Sequence, residues 1–169
     1  LEKKKISLAL KRGFDVFAAS VMLVTFSPVL IAISIMIVRD SKGGVFYRQE
    51  RVTQYGRKFR IFKFRTMVAN ADKIGTQVTV SNDSRVTKVG EKLRKYRLDE
   101  LPQFWNVLKG DMSLVGPRPE RPQYVEKFRE EIPRYMIKHQ VRPGMTGWAQ
   151  VNGYRGDTSI RKRIEHDLY

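Results

Sequence analysis

An uncharged apolar run from Val16 to Val38, VFAASVMLVTFSPVLIAISIMIV, constrains this chain more than any other feature. It is about as long as the roughly 20 residues an α-helix needs to cross a bilayer core. Lys3, Lys4, Lys5, Lys11 and Arg12 precede the run, and Arg39, Lys42, Arg48 and Arg51 follow it. Basic residues mark the cytoplasmic side of a membrane segment, so both ends read as cytoplasmic. A straight span would carry one basic cluster to the wrong side, whereas a helix that enters, bends and returns satisfies both. Ser27-Pro28, near the middle, supplies the bend: proline removes a backbone hydrogen bond and clashes with the preceding turn, and a serine hydroxyl can satisfy the freed carbonyl. A kinked ordinary span and a buried core helix are the competing geometries. A secretory signal does not fit, because the run is too long and no small-residue cleavage site follows it. Asp15 is expected either to cap the helix or to pair with Arg12.

The 169 residues amount to one domain, with 1–40 as a basic lead and re-entrant membrane helix and 41–169 as the cytoplasmic part of the same unit. A net charge of +16 calls for an anionic partner: phosphate, lipid headgroup or nucleic acid. The absence of cysteine excludes a disulfide framework, a thiol nucleophile and thiolate metal ligands; with only His139 and His166 to offer imidazole, a structural zinc site is not expected. Neither histidine has a suitably spaced partner, so both read as surface or hydrogen-bonded residues.

After the turn-rich Asp40-Ser41-Lys42-Gly43-Gly44, the segments Val45–Tyr47 and Phe59–Phe64 read as a small hairpin-like sheet. Residues 70–85 lack periodicity, apart from a brief extension at Gln77–Val80. Val89, Leu93 and Tyr96 recur at helical spacing among basic residues. Leu101, Phe104, Trp105 and Leu108 mark a second helix, with Pro102 suited to its first turn and Gly110 to its end. Further helices are expected over Pro122–Glu131 and Pro133–Gln140. Trp105 reads as core; Trp148 reads either as core or as a contact for a nucleobase or sugar. The fold class is α+β: a mainly helical monotopic membrane protein with a re-entrant helix, amphipathic interfacial helices and a small β-sheet.

Within this basic chain Asp99 and Glu100 stand side by side at the start of the second helix. Unpaired amides and the positive dipole end favour anions there, so both carboxylates are expected to be ionised, and an ionised Asp can act as a nucleophile. The blander reading is an N-cap beside a helix-dipole residue. Two carboxylates next to a substrate phosphate need a cation between them, and Mg2+ is the hard, oxygen-seeking choice. In Gly116-Pro117-Arg118-Pro119, prolines on both sides of Arg118 hold its guanidinium ready for bidentate contact with a phosphate. Lys63, Arg65, Arg94 and Arg97 would complete the cradle; taken singly, each is as easily a solvated surface charge. A basic membrane-anchored adaptor or nucleic-acid binder is the alternative function. Such a protein has no use for the acidic pair, so no nucleic-acid partner is expected.

The apolar segment with Ser27-Pro28, then Lys63-Phe64-Arg65-Thr66-Met67, Arg85-Val86-Thr87-Lys88-Val89-Gly90, Leu98-Asp99-Glu100-Leu101-Pro102-Gln103, Asn106-Val107-Leu108-Lys109-Gly110-Asp111-Met112-Ser113 and Gly116-Pro117-Arg118-Pro119 together resemble the bacterial sugar transferase family, the monotopic polyprenyl-phosphate phosphoglycosyl transferases. The resemblance implies transfer of a sugar 1-phosphate from a UDP-sugar to undecaprenyl phosphate, with release of UMP, to begin exopolysaccharide, capsule or O-antigen assembly. It implies Asp99 as the nucleophile that forms a covalent phosphosugar, Glu100 as its metal-associated partner with Mg2+, and Arg94 and Arg118 as anion-binding residues. It also implies a re-entrant helix broken at Ser27-Pro28, contact with membrane lipid at the bacterial inner membrane with the catalytic part facing the cytoplasm, and a possible homodimer. Residues 142–157 resemble the hexose branch, which transfers galactose or glucose 1-phosphate. Members of that branch usually carry several more membrane helices and a further soluble domain before this region and continue beyond Tyr169. The chain therefore reads as a short natural form or as a trimmed catalytic part.

Overall fold

Pro28 sets the first architectural event. In the computed structural model, which describes residues 2–75, 82–155 and 159–169, α1 (Glu2–Thr25) and α2 (Ser27–Asp40) meet at Phe26 with a bend of 60°. Pro28 has no N–H for the Val24 carbonyl four residues back, and Ser27 Oγ donates to that carbonyl at 2.8 Å instead. The break therefore leaves no orphaned acceptor at Val24. No single described helix is long and apolar enough to cross a membrane, but the bent pair together has the length and composition of a broken span or a re-entrant loop.

Beyond the pair, β1 (Phe46–Val52) and β2 (Lys58–Phe64) form an antiparallel hairpin in the register Phe46↔Phe64 to Val52↔Lys58. The expected first strand is thus longer than Val45–Tyr47. Next come α3 (Ala71–Ile74), α4 (Lys88–Lys95), a 3-10 turn over Leu98–Glu100, and α5 (Gln103–Lys109). Last are β3 (Ser113–Val115), α6 (Pro122–Glu131), a 3-10 turn over Tyr135–Gln140, β4 (Gly144–Thr146), α7 (Trp148–Val151) and α8 (Ile160–Leu168). The segment expected as a helix over Pro133–Gln140 is the tighter turn; Arg134, before it, has a positive φ of 62°. The brief extension expected at Gln77–Val80 lies outside the described residues.

Three apolar clusters hold these elements together, and two of them contain residues of the bent pair. Ala19 of α1 packs with Phe59, Ile61, Val107 and Met112. Ile33 and Ile37 of α2 pack with Phe64 and Leu93, with Leu98 and Leu101 against them. Val52, Val125, Phe128, Tyr135 and Ile164 form the third. Elsewhere the bent pair leaves apolar side chains open, among them Phe14 at 64 %, Phe17 at 70 % and Val24 at 75 % exposure. Exposed apolar side chains in this number on one helix pair are a feature shared by interaction and membrane surfaces.

Polar contacts also fix α1. Asp15 is buried and neither caps the helix nor pairs with Arg12, contrary to both expectations: it accepts from Ser113 Oγ at 2.6 Å, from the Leu114 amide at 3.3 Å and from Lys11 at 3.5 Å. Lys11 also donates to Ser113 Oγ and to the Val115 carbonyl. Arg12 crosses to the C-terminal end of α5, where its guanidinium donates to the carbonyls of Val107 at 2.5 Å and Leu108 at 2.9 Å. A cation at a helix C-terminus satisfies carbonyls that have no intrahelical partner and complements the dipole. Replacing Arg12 by Met should therefore cost about 2 kcal/mol, seen as an earlier thermal unfolding transition of the detergent-solubilised chain.

The buried face of α5 is Gln103, Asn106 and Val107, so Trp105, expected in the core, is half exposed. Asn106 explains the difference. Its Oδ1 accepts from the Phe62 amide and its Nδ2 donates to the Arg60 carbonyl, both at 2.9 Å, so a side-chain amide completes the free edge of β2 as a neighbouring strand would. That requirement rotates the polar side of α5 inward.

Candidate active site

Asp99 and Glu100 lie in the 3-10 turn immediately before α5, between Leu98 and Leu101, which both pack against the cluster of Ile33 and Ile37. Arg97, which opens the turn, is left-handed at φ 56° and ψ 25°. A non-glycine residue there stores strain of about 1–2 kcal/mol, held by the packing on either side. The turn presents both carboxylates to a cavity of about 530 Å3.

Nine of the cavity's lining residues are basic, against the three carboxylates Asp72, Asp99 and Glu100. Of the sequence-derived candidates, Lys63, Arg65, Arg94, Arg97, Asp99, Glu100 and Arg118 all line it. Sequence reasoning missed Arg51, Arg85, Arg121 and Arg155, which line it too. Tyr47, Gln49 and Arg51 alternate along β1 onto the cavity wall, a period-2 signal that was available in the sequence. Arg85 is ion-paired with Asp83 at 2.6 Å, and Arg155 donates to the Gln150 carbonyl.

The cations differ in what else they hold. Arg65 is buried, and its guanidinium donates to the Gly44, Ser41 and Met67 carbonyls and to Ser41 Oγ. It clasps the end of α2 to the end of β2. Arg94 donates through Nε to Thr66 Oγ1 at 2.8 Å, which leaves its outer nitrogens for a ligand. Arg118 donates to no described residue. Its backbone, by contrast, is pinned: Gly116 N donates to Thr146 O and Gly144 N to Pro117 O, both at 2.9 Å, while Arg51 holds Pro119 O at 3.0 Å and Val52 N holds Glu120 O at 3.0 Å. Glu120 in turn accepts from Arg163 of α8 at 2.5 Å in a buried ion pair. Arg118 is thus a guanidinium without a hydrogen-bond partner among the described residues, carried at the cavity wall on a loop whose backbone is pinned.

Lys63 reaches Glu100 Oε1 at 3.3 Å. Burial pushes Asp99 above the ordinary aspartate range; Lys63 pulls it back, Glu100 adds to the rise, and Arg94 opposes it. Glu100 goes the other way: burial alone would raise it, but Lys63, Arg118 and Arg97 outweigh that and hold it below its usual range. Lys63 itself is lowered, first by burial and then by Arg118, against the pull of Glu100. Arg51 is pushed down to about 10 by burial and by Arg118. The pair expected to be alike is therefore split into a more basic Asp99 and a more acidic Glu100. Among the described residues no third Asp, Glu, His or Cys joins them in a cluster that could hold a metal ion.

The remaining sequence candidates lie elsewhere. Trp148 is half exposed, does not line the cavity and stacks on Tyr169 at 6.3 Å. His139 is buried against Tyr135, its Nε2 without a partner among the described residues, and burial lowers its pKa. His166 contacts the Lys162 carbonyl at 2.8 Å.

The acidic pair and nine basic side chains thus share one cavity, and the turn that carries the pair packs through Leu98 and Leu101 on Ile33 and Ile37 of α2. Residues 6–169 match the bacterial sugar transferase family, and the chain belongs to it. It is 51 % identical over 162 residues to a UDP-N-acetylgalactosamine-undecaprenyl-phosphate N-acetylgalactosaminephosphotransferase of Aeromonas hydrophila, covering 95 % of this chain and 38 % of the relative. It is 48 % identical to a UDP-glucose:undecaprenyl-phosphate glucose-1-phosphate transferase of Escherichia coli K12, covering 96 % of this chain and 36 % of the relative. The chain thus spans little more than a third of those two proteins. A shorter relative, the exopolysaccharide production protein PSS of Rhizobium leguminosarum, is 40 % identical with 86 % of its length covered.

Proposed function

We propose that this chain transfers a sugar 1-phosphate from a UDP-sugar to undecaprenyl phosphate in two displacements at Asp99. The observation that carries the reading is the single cavity that joins Asp99 and Glu100 to Lys63, Arg94 and the free guanidinium of Arg118. An Asp99 carboxylate oxygen attacks the β-phosphorus of the UDP-sugar; the bond from that phosphorus to the bridging oxygen breaks, and the oxygen leaves with UMP. The phosphate oxygen of undecaprenyl phosphate then attacks the same phosphorus, and the Asp99 carboxylate leaves. Two such steps replace one direct meeting of two anions. Arg118 and Arg94 bind and orient the phosphates, and their fixed positive charge favours the charge that develops on the transferring oxygens.

The donor set suits Mg2+: two hard carboxylates on one wall, with substrate phosphates and water to complete the shell, which is how this ion is commonly held. Asp99 and Glu100 would hold it, and when bound it would neutralise phosphate charge. The apolar bent pair supports seating as a re-entrant helix in the bacterial inner membrane, with the catalytic part on the cytoplasmic side. The two most similar proteins described above act on different UDP-sugars, so the sugar is left as a hexose or N-acetylhexosamine; the product would initiate a surface glycan.

The test is UMP release and lipid-linked sugar formation by the purified chain with a panel of UDP-sugars and undecaprenyl phosphate; no release with any of them would sink the reading. The acid limb of that activity reports Asp99. Because Lys63 favours the ionised form, Lys63→Met should raise the Asp99 pKa further, and the acid limb of kcat/KM should move to higher pH. A limb that stays put or moves to lower pH would remove Lys63 from this role.

A further inference from the structure

The cations of the cavity would attract phosphate from many directions, but one part of the wall, ending in a neutral phenol, is directional. On β1, Tyr47, Gln49 and Arg51 stand two residues apart and are hydrogen-bonded in series. Arg51 Nη2 donates to Gln49 Oε1 at 2.6 Å, and Gln49 Nε2 donates to Tyr47 Oη at 3.2 Å. A guanidinium has donors only, so the amide oxygen of Gln49 must face Arg51 and its NH2 must face Tyr47; flipping the amide would set donor against donor. Arg51 is itself fixed, since its Nη1 holds the Pro119 carbonyl on the Arg118 loop. The Tyr47 oxygen therefore accepts a hydrogen bond from Gln49, and its own hydrogen points away from Gln49. The ring lies at the cavity wall, so that hydrogen is available to the cavity.

We propose that Tyr47 determines specificity for the donor substrate: its hydroxyl is a fixed hydrogen-bond donor to an acceptor oxygen of the UDP-sugar, with Gln49 and Arg51 as positioning residues. The acceptor is an oxygen of the sugar or of the nucleotide, and the experiment distinguishes the two. A donor whose direction is set by its neighbours discriminates where a cation does not, because an analogue lacking the matching oxygen leaves the half-buried hydroxyl without its partner. The inference rests on the reading of the cavity as a UDP-sugar site.

The test uses the full chain in detergent or nanodiscs, with UDP, UDP-glucose, UDP-galactose and UDP-N-acetylgalactosamine as probes. Tyr47→Phe keeps the ring and should raise KM for the preferred UDP-sugar roughly tenfold with a much smaller change in kcat. Equal weakening of UDP alone assigns the acceptor to the nucleotide; weakening confined to UDP-sugars, with altered discrimination among them, assigns it to the sugar. Gln49→Glu supplies the sharper arm. A carboxylate keeps the Arg51 pairing but accepts the phenol hydrogen, turning it back from the cavity, so Gln49→Glu should reproduce the Tyr47→Phe loss and the double variant should be no worse than either. Losses that add in the double variant would mean that the new charge merely repels phosphate, and would overturn the proposal. An unchanged KM in Tyr47→Phe, in a wild type that turns over UDP-sugars, overturns this inference alone. A wild type that binds no UDP-sugar overturns the functional reading beneath it as well.

Discussion

Asp99→Asn should lower sugar phosphate transfer by a factor of about 10^4 or more, the scale seen when an essential nucleophile is removed, and should leave no labelled sugar phosphate attached to the chain. The substitution is nearly isosteric and replaces an ionised oxygen by a neutral amide. The fold has little reason to change, because the turn carrying Asp99 is held by Leu98 and Leu101 against the cluster of Ile33 and Ile37, and an amide oxygen at position 99 can still accept the backbone hydrogen bond made to the carboxylate. Glu100→Gln is the informative partner. It removes the more acidic group, the partner of Lys63, and leaves the nucleophile in place. A stopped reaction with radiolabelled UDP-sugar and no lipid acceptor should therefore show an adduct in wild type, a slower adduct in Glu100→Gln and none in Asp99→Asn. If Asp99→Asn still turned over within tenfold of wild type, the lipid phosphate would be attacking the UDP-sugar directly, and Asp99 would be an electrostatic or metal-binding residue only.

The two-step reading depends on features of unequal visibility in the sequence. The acidic pair, the bent apolar helix and the proline-flanked Arg118 are local patterns, each complete within a few residues, and the structure places the pair and Arg118 on one cavity. What holds Arg118 is not local. β3 and β4 are three-residue strands separated by α6 and a 3-10 turn, and they pair in parallel in the register Ser113↔Gly144 and Val115↔Thr146. Strands that short carry no alternation to read, and their signal is instead steric: a side chain on Gly116 or Gly144 would collide with the backbone of the opposite strand. The burial of Asp15 and Asn106 was hidden for another reason. Polar residues are assigned to solvent by pattern, and only the three-dimensional contacts show that Asp15 meets Ser113 and Leu114 while Asn106 fills the edge of β2. Of the four apolar residues at helical spacing, Leu101, Phe104 and Leu108 pack against the clusters as expected, and Trp105 alone is turned outward.

The second large effect is one for which local propensity and the fold predict opposite signs. Gly90 lies inside α4, where replacing glycine by alanine ordinarily stabilises a helix by roughly 1 kcal/mol. Here the helix starts against the end of β2. A methyl group on Gly90 would sit 2.7 Å from both the carbonyl carbon and the Cα of Thr66 and closer still to the Thr66 carbonyl oxygen. These are backbone atoms and cannot turn aside as a side chain end would. The same carbonyl accepts from the Thr87 amide at 3.0 Å, and Thr87 caps α4 by accepting from the Gly90 amide at 2.9 Å, so the crowded point is also where α4 begins. Gly90→Ala must push α4 off Thr66, at a cost of about 3 kcal/mol from overpacking. The displacement carries function with it, because Arg94 on the next turn is oriented by Thr66 Oγ1 at the cavity wall. The expected result is a lower thermal midpoint together with a weakened affinity for UDP-sugar that Arg94→Ala reproduces without the stability loss. A more stable Gly90→Ala variant with unaltered substrate affinity would mean that α4 does not pack on Thr66, and that Arg94 is not held at the cavity by that contact.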